Sequence, residues 1–399
     1  MPILGLRTPT NVATNERPES WREGINLLFP NGDFALTGLS SYGRNEAVSD
    51  YKFHWFEKGL PTQRIFINNA AGYSAIATSA VVDDGAAGSA SFNLKGGTML
   101  MNERTFEKMR VYQDPTNDTI HLERNRGAGT VGTGVAMVDN DALLIVGSAY
   151  EDGNTAHISA VQYDPTEKLN YCQIFGDSYL LTRRTLKTQF RTGDKLQETR
   201  RETLLIHLRG IEASAFFGEA LDETAVTGMG TAAAHRTLTG GLYGFITTNI
   251  HDAGGALTYF EAMDFLEQDL RYGSSNRLAL AGSTAINAWN KLAKLEMAMQ
   301  SVPGGDSFGY AIKEIVTPFG KNLYLLQHPM LSVNPTFRGW MWLVDMDQFK
   351  VRVLDDTQLI EHVQDNNVKR MEAEYYTDIG WEISQESTHA YWKNVTAAA

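Results

Sequence analysis

The sequence predicts an α+β fold, in which one long helix and two shorter helices lie among many short strands. The long helix is indicated by a capping residue and a helical apolar period between residues 194 and 217. Between residues 97 and 165, short apolar runs separated by turn residues are typical of strands. Two further helices and a last series of strands follow residue 258. No internal repeat accompanies these patterns.

The long helix has the clearest signals. Asp194 is a favourable N-cap with Gln197 at the third helical position, and Gly218 is a plausible stop. At 1.5 Å per residue the helix would be about 36 Å long, which is more than a compact enzyme domain usually needs. Four apolar residues recur at helical spacing and are the predicted core face: Leu204, Leu208, Ile211 and Ala215.

The remaining elements are predicted from shorter patterns. Thr258 and Glu261 form a capping box that opens a second helix, and a third helix is expected from Ser283 to about Gln300. A small β-rich module is expected from strands at 98–101, 106–112, 119–123 and 142–146. Later strands are expected at 242–246, 308–316, 323–326, 339–344, 350–354, about 369–376 and 381–383.

Residues 1 to about 65 show no sustained period of either kind. They carry isolated aromatic residues and then the cluster 53–56, so we expect an extended arm whose apolar side chains are buried against other parts of an assembly. Trp55 and Phe56 are therefore predicted intersubunit contacts. A platform for stacking bases is the alternative interpretation of this cluster, and the acidic net charge disfavours it.

Composition limits the function. The 399 residues carry 35 basic and 47 acidic side chains, and the net charge of −12 opposes general attraction to phosphate backbones. Cys172 is the only cysteine, so an internal disulfide and a thiolate zinc site are excluded. No apolar run approaches the ~18 residues of a membrane span, and the first residues lack the pattern of a secretory signal. We expect a protein made in the cytoplasm, without a cofactor or membrane partner.

Two short motifs could indicate an enzyme, but both are in the wrong context. The glycine pattern at 127–132 resembles a dinucleotide fingerprint, yet an extended run at 135–138 follows it where a helix is required. Ser307 lies in a pattern like the nucleophile elbow, which needs a strand before it and a helix after it. Here the predicted order is helix first and strand second. A serine hydrolase using Ser307 therefore remains only a remote alternative, and no catalytic residue is predicted.

One charge pattern points to association. Residues 183–201 are predominantly basic, and residues 355–386 are predominantly acidic. Such blocks can pair within a chain or between copies, or they can be two unrelated solvated surfaces. We favour pairing between copies as a hypothesis, with these predicted intersubunit contacts: Arg183, Arg184, Arg200, Arg201, Glu372 and Glu374.

The elements follow in the order of an arm, a β-rich loop, a long helix, a Gly-rich region with two helices, and terminal strands. Five segments stand out within that order: Phe53-His54-Trp55-Phe56-Glu57, Gly147-Ser148-Ala149-Tyr150-Glu151-Asp152-Gly153, Asn170-Tyr171-Cys172-Gln173-Ile174-Phe175, His207 to Gly218 with Ile211-Glu212 before Phe216-Phe217-Gly218, and Arg236-Thr237-Leu238-Thr239-Gly240-Gly241-Leu242. In order and spacing they resemble the major capsid proteins of tailed phages with the Hong Kong 97-like fold, and most closely the SU10-type family. The resemblance covers the chain from about residue 25.

The resemblance implies a division of the chain. Residues 1–65 would be the N-terminal arm, and 66–165 the extended loop with an inserted β module. Residues 166–225 and 355–399 would form a peripheral domain containing the long helix, called the spine helix. Residues 226–354 would form the axial domain around capsomer symmetry axes.

The resemblance also implies a structural function. The protein would assemble itself in the host cytoplasm into hexamers and pentamers of an icosahedral phage head, enclosing double-stranded DNA without reading its sequence. Because no long helical segment precedes the arm, a separate scaffolding protein is expected, together with a portal and decoration proteins. An encapsulin-like compartment shell, which shares the fold, is the alternative.

Overall fold

A computed structural model describes residues 45–59, 63–83, 94–126, 132–149, 152, 164–190, 193–223, 235–295, 299–307 and 310–397. Between residues 293 and 316, side chains are described only at Ile315. The chain forms two compact units. One is Phe56–Glu167, and the other comprises Met1–Trp55 and Lys168–Ala399.

The smaller unit contains a closed barrel of six antiparallel strands. Their order around the barrel is β3-β4-β7-β6-β5-β8, and β8 pairs again with β3. In β7, Ile120 and Leu122 are buried while their neighbours are half-buried, which is the alternation expected of strands with one face inside. The strands are β3 (Arg64–Ile67), β4 (Ser79–Asp83), β5 (Thr98–Asn102), β6 (Lys108–Thr116), β7 (Thr119–Glu123) and β8 (Ala142–Ser148).

A buried ion pair lies inside this barrel unit. Arg124 donates to both carboxylate oxygens of Glu107, at 2.8 and 2.7 Å, and both side chains are almost fully buried. The same carboxylate accepts the backbone N–H groups of Asn125 and Val135, each at 3.0 Å. Burial opposes the charge of Glu107, but these hydrogen bonds outweigh it and lower its pKa. The pair therefore connects three segments of the unit.

In the larger unit, a four-stranded sheet supports the long helix. The order is β1-β19-β20-β10, with β1 parallel to β19 and the other pairs antiparallel. The helix, α2, begins after Asp194, whose side chain accepts the N–H of Leu196, and it ends at Gly218. The bounds are β1 (Asn45–Ala47), β10 (Gln173–Thr182), β19 (Phe349–Glu361), β20 (Arg370–Ile383), α1 (Arg183–Lys187) and α2 (Lys195–Phe217).

A mixed seven-stranded sheet forms the rest of this unit. Its order is β13-β21-β18-β14-β17-β16-β15. In the central strands β14 and β18, nearly every residue is buried, because the sheet is covered on both faces. The bounds are β13 (Ile250–Ala256), β14 (Asn276–Ala281), β15 (Met299–Ser307), β16 (Tyr310–Val316), β17 (Asn322–Gln327), β18 (Met341–Val344), β21 (Ala390–Thr396), α4 (Tyr259–Asp269) and α5 (Ser283–Leu295).

Short elements complete the fold. Strands β2 and β9 form one two-stranded sheet, and β11 and β12 form another. The bounds are β2 (Lys52–Glu57), β9 (Thr166–Tyr171), β11 (Leu221–Asp222), β12 (Thr237–Leu238), α3 (Leu242–Phe245), α6 (Pro329–Val333) and a 3₁₀ turn (Glu386–Thr388).

One core joins α2 to both sheets. Phe216 on the helix lies in the same buried cluster as Trp381 of the four-stranded sheet and Trp342 of the seven-stranded sheet. The opposite face of the seven-stranded sheet packs against α4 and α5, with Trp289 and Trp392 fully buried there. The long helix is thus held by a continuous core and does not depend on its own propensity.

The predicted α+β class is confirmed, and several element boundaries are corrected. Residues 242–245 form a short helix and not a strand. The helix that starts at Ser283 ends at Leu295, and 299–307 is a strand paired with β16. The two predicted strands at 369–376 and 381–383 are one strand, Arg370–Ile383.

The predicted domain boundaries stay a prediction, but strand pairing divides the C-terminal region differently. Strand β21 pairs with β13 and β18 in the seven-stranded sheet, whereas β19 begins at Phe349 in the four-stranded sheet. Residues 390–396 therefore belong to the seven-stranded sheet and not to the four-stranded sheet that carries the spine helix.

Candidate assembly surfaces

The face of the spine helix α2 that packs against the core contains both apolar and polar residues. Of the four predicted core residues, Ile211 and Ala215 are buried, while Leu204 and Leu208 are half-buried and pack at the edges of two clusters. The fully buried positions include Phe216, which belongs to the central core cluster. The packed face therefore extends beyond the predicted apolar stripe.

Three polar residues on α2 are buried, namely Thr203, His207 and Glu212, and the last two are hydrogen-bonded to other elements. His207 contacts Asp177 through Nδ1 and Thr377 through Nε2, each at 2.8 Å. Glu212 accepts from Nε2 of His328 at 2.7 Å. A buried polar group needs a partner, so these contacts hold the helix in one position on the sheet and the α6 region. Sequence reasoning missed them, since polar residues on a helix are usually exposed.

Some of the predicted charge contacts form ion pairs within the chain, and others are exposed. Arg200 pairs with Glu361 of its own chain and donates through Nε to the Tyr179 hydroxyl at 2.8 Å. At this position the basic and acidic blocks meet within the chain. Glu372 pairs with Arg370 at 3.0 Å, and Glu374 lies against Gly176. Arg183, Arg184 and Arg201 are exposed.

Trp55 and Phe56, the two aromatic contacts predicted for the arm, point to opposite sides of β2. Trp55 is buried in its own subunit, where it stacks near Phe53 and lies 5.8 Å from the Phe245 ring centroid. Phe56, on the opposite side of β2, is 69 % exposed. Trp55 therefore has little surface left for a neighbour, whereas Phe56 remains free for contact.

The N-terminal strand β1 is anchored by charge. Glu46 pairs with Lys350 at 2.8 Å and also with Arg352, which in turn pairs with Glu382. Backbone pairing of residues 45–47 with 351–353 runs alongside. This alternating set of two acids and two bases attaches β1, which lies within the predicted arm, to the edge of the sheet. No sequence pattern indicated it, because the partners are about 300 residues apart.

The enzyme motifs lack the required geometry in the described residues. Ser307 is the last residue of β15 and pairs with Tyr310 of the next strand, so no helix follows it. Of the glycine motif, only Gly132 lies within the described residues. No group of three His, Cys, Asp or Glu side chains in the described part of the chain could hold a metal ion. Its helices are all too short or too polar to cross a membrane.

The chain is a major capsid protein, the shell-forming class of phage-head protein, because one family model matches residues 7–396. The model is that of the SU10 major capsid protein, and the chain belongs to this family. The Hong Kong 97-like fold inferred from the order of elements is confirmed, since the long helix, two shorter helices and terminal strands occur in the expected order. No curated protein matches the chain in a sequence search.

Solved structures with a similar outline are distant in sequence. The capsid of a native GTA particle is 9% identical, with 98% of this chain and 100% of that chain covered and a TM-score of 0.49. The Microbacterium phage Oxtober96 protein is 10% identical over 97% and 98% of the two chains, with a TM-score of 0.46. The holo-SrpI encapsulin from Synechococcus elongatus PCC 7942 is 14% identical over 59% and 78%, with a TM-score of 0.39.

Proposed function

We propose that this major capsid protein self-associates into hexamers and pentamers, and that these form an icosahedral head around double-stranded DNA. The observation that carries the proposal is the family match over residues 7–396. The net charge of −12 supports a container that does not read or tightly bind its DNA. The protein acts as a structural subunit and not as an enzyme, in agreement with the strand pairing of Ser307.

The partners follow from this function. A separate scaffolding protein, a portal and decoration proteins are the expected associates, and assembly takes place in the host cytoplasm. The arm of residues 1–65 contributes contacts between subunits through side chains such as Phe56. The part of the arm that the structure describes begins with the charge-anchored strand β1, which lies at the edge of the four-stranded sheet.

Electron microscopy of the purified protein tests the proposal directly. The chain is produced alone and together with the scaffolding protein of its phage, and both preparations are imaged. Closed shells containing five-fold and six-fold capsomers are expected, at least with the scaffold. A protein that remains monomeric in both preparations, under all salt conditions tried, would contradict the proposal.

A cargo test separates this function from the encapsulin-like alternative. Shells that take up DNA through a portal agree with a phage head. Shells that form alone and enclose a specific protein cargo agree with a compartment.

An esterase assay tests the hydrolase alternative. Acyl-ester hydrolysis that disappears in Ser307→Ala would support that alternative.

A further inference from the structure

One end of the six-stranded barrel carries exposed apolar side chains. Neighbouring strands are antiparallel, so the connections β3–β4 (68–78), β5–β6 (103–107) and β7–β8 (described at 124–126 and 132–141) all lie at this end. The segments that join the barrel to the rest of the chain meet it at the opposite end, before Arg64 and after Ser148. Four apolar side chains on the three connections, here called the apical patch, are 51–71% exposed: Ile76, Phe106, Val135 and Val138.

Two backbone contacts join the β3–β4 connection to the β7–β8 connection. The N–H of Gly134 donates to the carbonyl oxygen of Ala75 at 2.8 Å. Tyr73 forms an antiparallel β-bridge with Met137. Each of the three patch residues on these connections directly follows one of the bonded residues in the chain. Their backbones are therefore close neighbours.

The β5–β6 connection is bonded to the same segment. The N–H of Val135 donates to Oε2 of Glu107, the residue after Phe106, at 3.0 Å. Arg104, two residues before Phe106, donates to the carbonyl oxygen of Ala136 at 2.8 Å. The fourth patch residue thus lies beside the other three, and the exposed side chains form one apolar surface.

Ion pairs hold the connections in place. The buried pair of Arg124 and Glu107 connects the β7–β8 and β5–β6 segments. Arg104 pairs with Asp141 at 2.6 Å, and its hydrogen bond lowers the pKa of the Asp141 carboxyl to about 2, so this pair stays charged at neutral pH. The same carboxylate accepts the N–H of Val138 at 2.9 Å. Because the backbone of the patch is already ordered, a contact made through it loses little conformational entropy.

Phe106 is the most unusual member of the patch. Its φ of 56° lies in the left-handed region, where a bulky side chain is strained and where glycine or asparagine is the usual residue. Its ring is 71% exposed, so packing within the subunit does not compensate for this strain. A strained residue that presents an aromatic ring to solvent points to a contact outside the subunit.

The charges around the patch are nearly balanced within the subunit. Besides the two ion pairs above, Glu103 pairs with Arg64 at 2.6 Å. Asp139 is the one carboxylate of the three connections without an ion pair among the described residues, and it accepts the N–H of Asn69 at 2.9 Å. Little net charge remains, so two copies of the patch can face each other without strong repulsion.

The size of the patch limits the kind of contact. Its four side chains expose on the order of 350 Å² of apolar surface, at about 150 Å² for each whole side chain. A stable pair of proteins buries about 800 Å² on each partner. The patch is thus too small to join free subunits, but it can join copies that the other contacts of a shell already hold together.

We propose that the apical patch binds the apical patch of a second copy across a two-fold axis of the assembled shell. In such a contact the same residues of both copies face each other, which suits an apolar surface with little net charge. Every subunit carries the patch, so contact between copies covers it without any further protein. The inference rests on the proposed function, because assembly must bring the copies together.

Cysteine cross-linking within shells tests the two-fold arrangement. Each cysteine variant is co-assembled with an equal amount of wild type, so that shells form even where the substitution weakens the contact, and is then oxidised mildly. A disulfide needs Cα atoms within about 7 Å, so only residues near the axis can bridge. The native Cys172 is 1% exposed and adds no background. The variants are Ile76→Cys, Phe106→Cys, Val135→Cys and Val138→Cys.

At least one of these four variants should give a disulfide-linked dimer, because a residue near a two-fold axis meets its own counterpart. Val146→Cys is the matched control, since Val146 is 63% exposed on β8 toward the opposite end of the barrel, and it should give none. If another protein of the virion covers the patch, shells of the pure chain give no dimer from any of the four. That result would overturn the proposal.

An aspartate in the patch tests its apolar character. Phe106→Asp removes the aromatic ring and places like charges opposite each other across the axis. We expect the subunit concentration at which shells form to rise about tenfold, the change typical for loss of one apolar anchor. Val146→Asp should change this concentration by less than about twofold. Equal shifts for the two variants would contradict the proposal.

Phe106→Gly separates assembly from subunit stability. Glycine adopts a φ of 56° without strain, so the melting temperature of free subunits should stay equal or rise. The ring is lost, so the concentration needed for shells should rise as in Phe106→Asp. A lower melting temperature would show that Phe106 stabilises its own subunit, and normal assembly would show that the ring makes no contact. Either result would overturn the proposal.

The outcomes for the contact and for the proposed function are distinguishable. Wild-type protein that forms no shells under any condition would overturn the proposed function. Wild-type shells combined with no cross-linked dimer and normal assembly of the Phe106 variants would overturn only this contact.

Discussion

The two isoleucines of the spine helix offer a matched test of how α2 is packed. Ile211 is 2% exposed in the core between the two sheets, whereas Ile206, five positions earlier on the same helix, is 62% exposed. Ile211→Ala removes three buried carbons at about 0.8 kcal/mol each, and the remaining cavity adds to this loss. We expect Ile211→Ala to lower the free energy of unfolding by about 2–4 kcal/mol.

Ile206→Ala should behave differently. Its side chain is already mostly in water, and alanine is a better helix former than isoleucine. The expected change in the free energy of unfolding is therefore within about 0.5 kcal/mol of zero.

Tryptophan fluorescence during urea unfolding of unassembled subunits is the suitable assay. All seven tryptophans lie outside residues 56–167, so the signal follows the unit that contains the helix and not the barrel. The midpoint shift of each variant, at unchanged slope, gives the change in stability. Equal shifts for the two variants would show that the assignment of the buried face of α2 is wrong.

Three further outcomes are expected. Arg124→Met leaves the carboxylate of Glu107 buried without its partner, so the barrel should lose about 3–5 kcal/mol by hydrogen exchange, and the double variant with Glu107→Met should recover most of it. Burial lowers the pKa of His389 to about 4, while the unfolded chain takes up this proton below about pH 6.5. Stability should therefore fall by up to ~3 kcal/mol as the pH drops from 6.5 to 4, and His389→Asn should flatten that dependence; an unchanged slope would exclude His389 as the cause. Deleting residues 1–44 should leave subunits with wild-type fluorescence that fail to form stable shells, and normal particles would refute the arm interpretation.

Signals within a few residues are sufficient to predict the ends of helices in this chain. The N-caps at Asp194 and Thr258 and the stop at Gly218 occur as predicted, because capping is satisfied by residues within one turn. The strand at 119–123 is also as predicted. Residues 242–245 were misassigned because a short apolar run fits both a strand and a helix. A Cβ at Gly241 would clash with the Ser214 carbonyl oxygen, so close packing against the end of α2 determines the local path.

For the candidate contacts too, the sequence pattern indicates the residues, but their burial and pairing depend on the tertiary structure. Alternation along β2 separates Trp55 from Phe56, but only the position of Phe245 shows which of the two is inside. The opposed charge blocks were visible in the sequence, whereas the pairing of Arg200 with Glu361 depends on how β19 and α2 lie together.

The sequence by itself determined the α+β class, the long helix with its caps, the acidic net charge of the chain, and the order of elements that indicates a capsid protein. These properties depend on composition and on neighbours within a few residues. Only the tertiary structure decided that His207 and Glu212 are buried with partners, that Glu46 anchors β1, and that Oδ1 of Asp378 has no hydrogen-bond partner among the described residues. The physical reason is that burial and pairing depend on residues far apart in the chain, which only the fold brings within hydrogen-bonding distance.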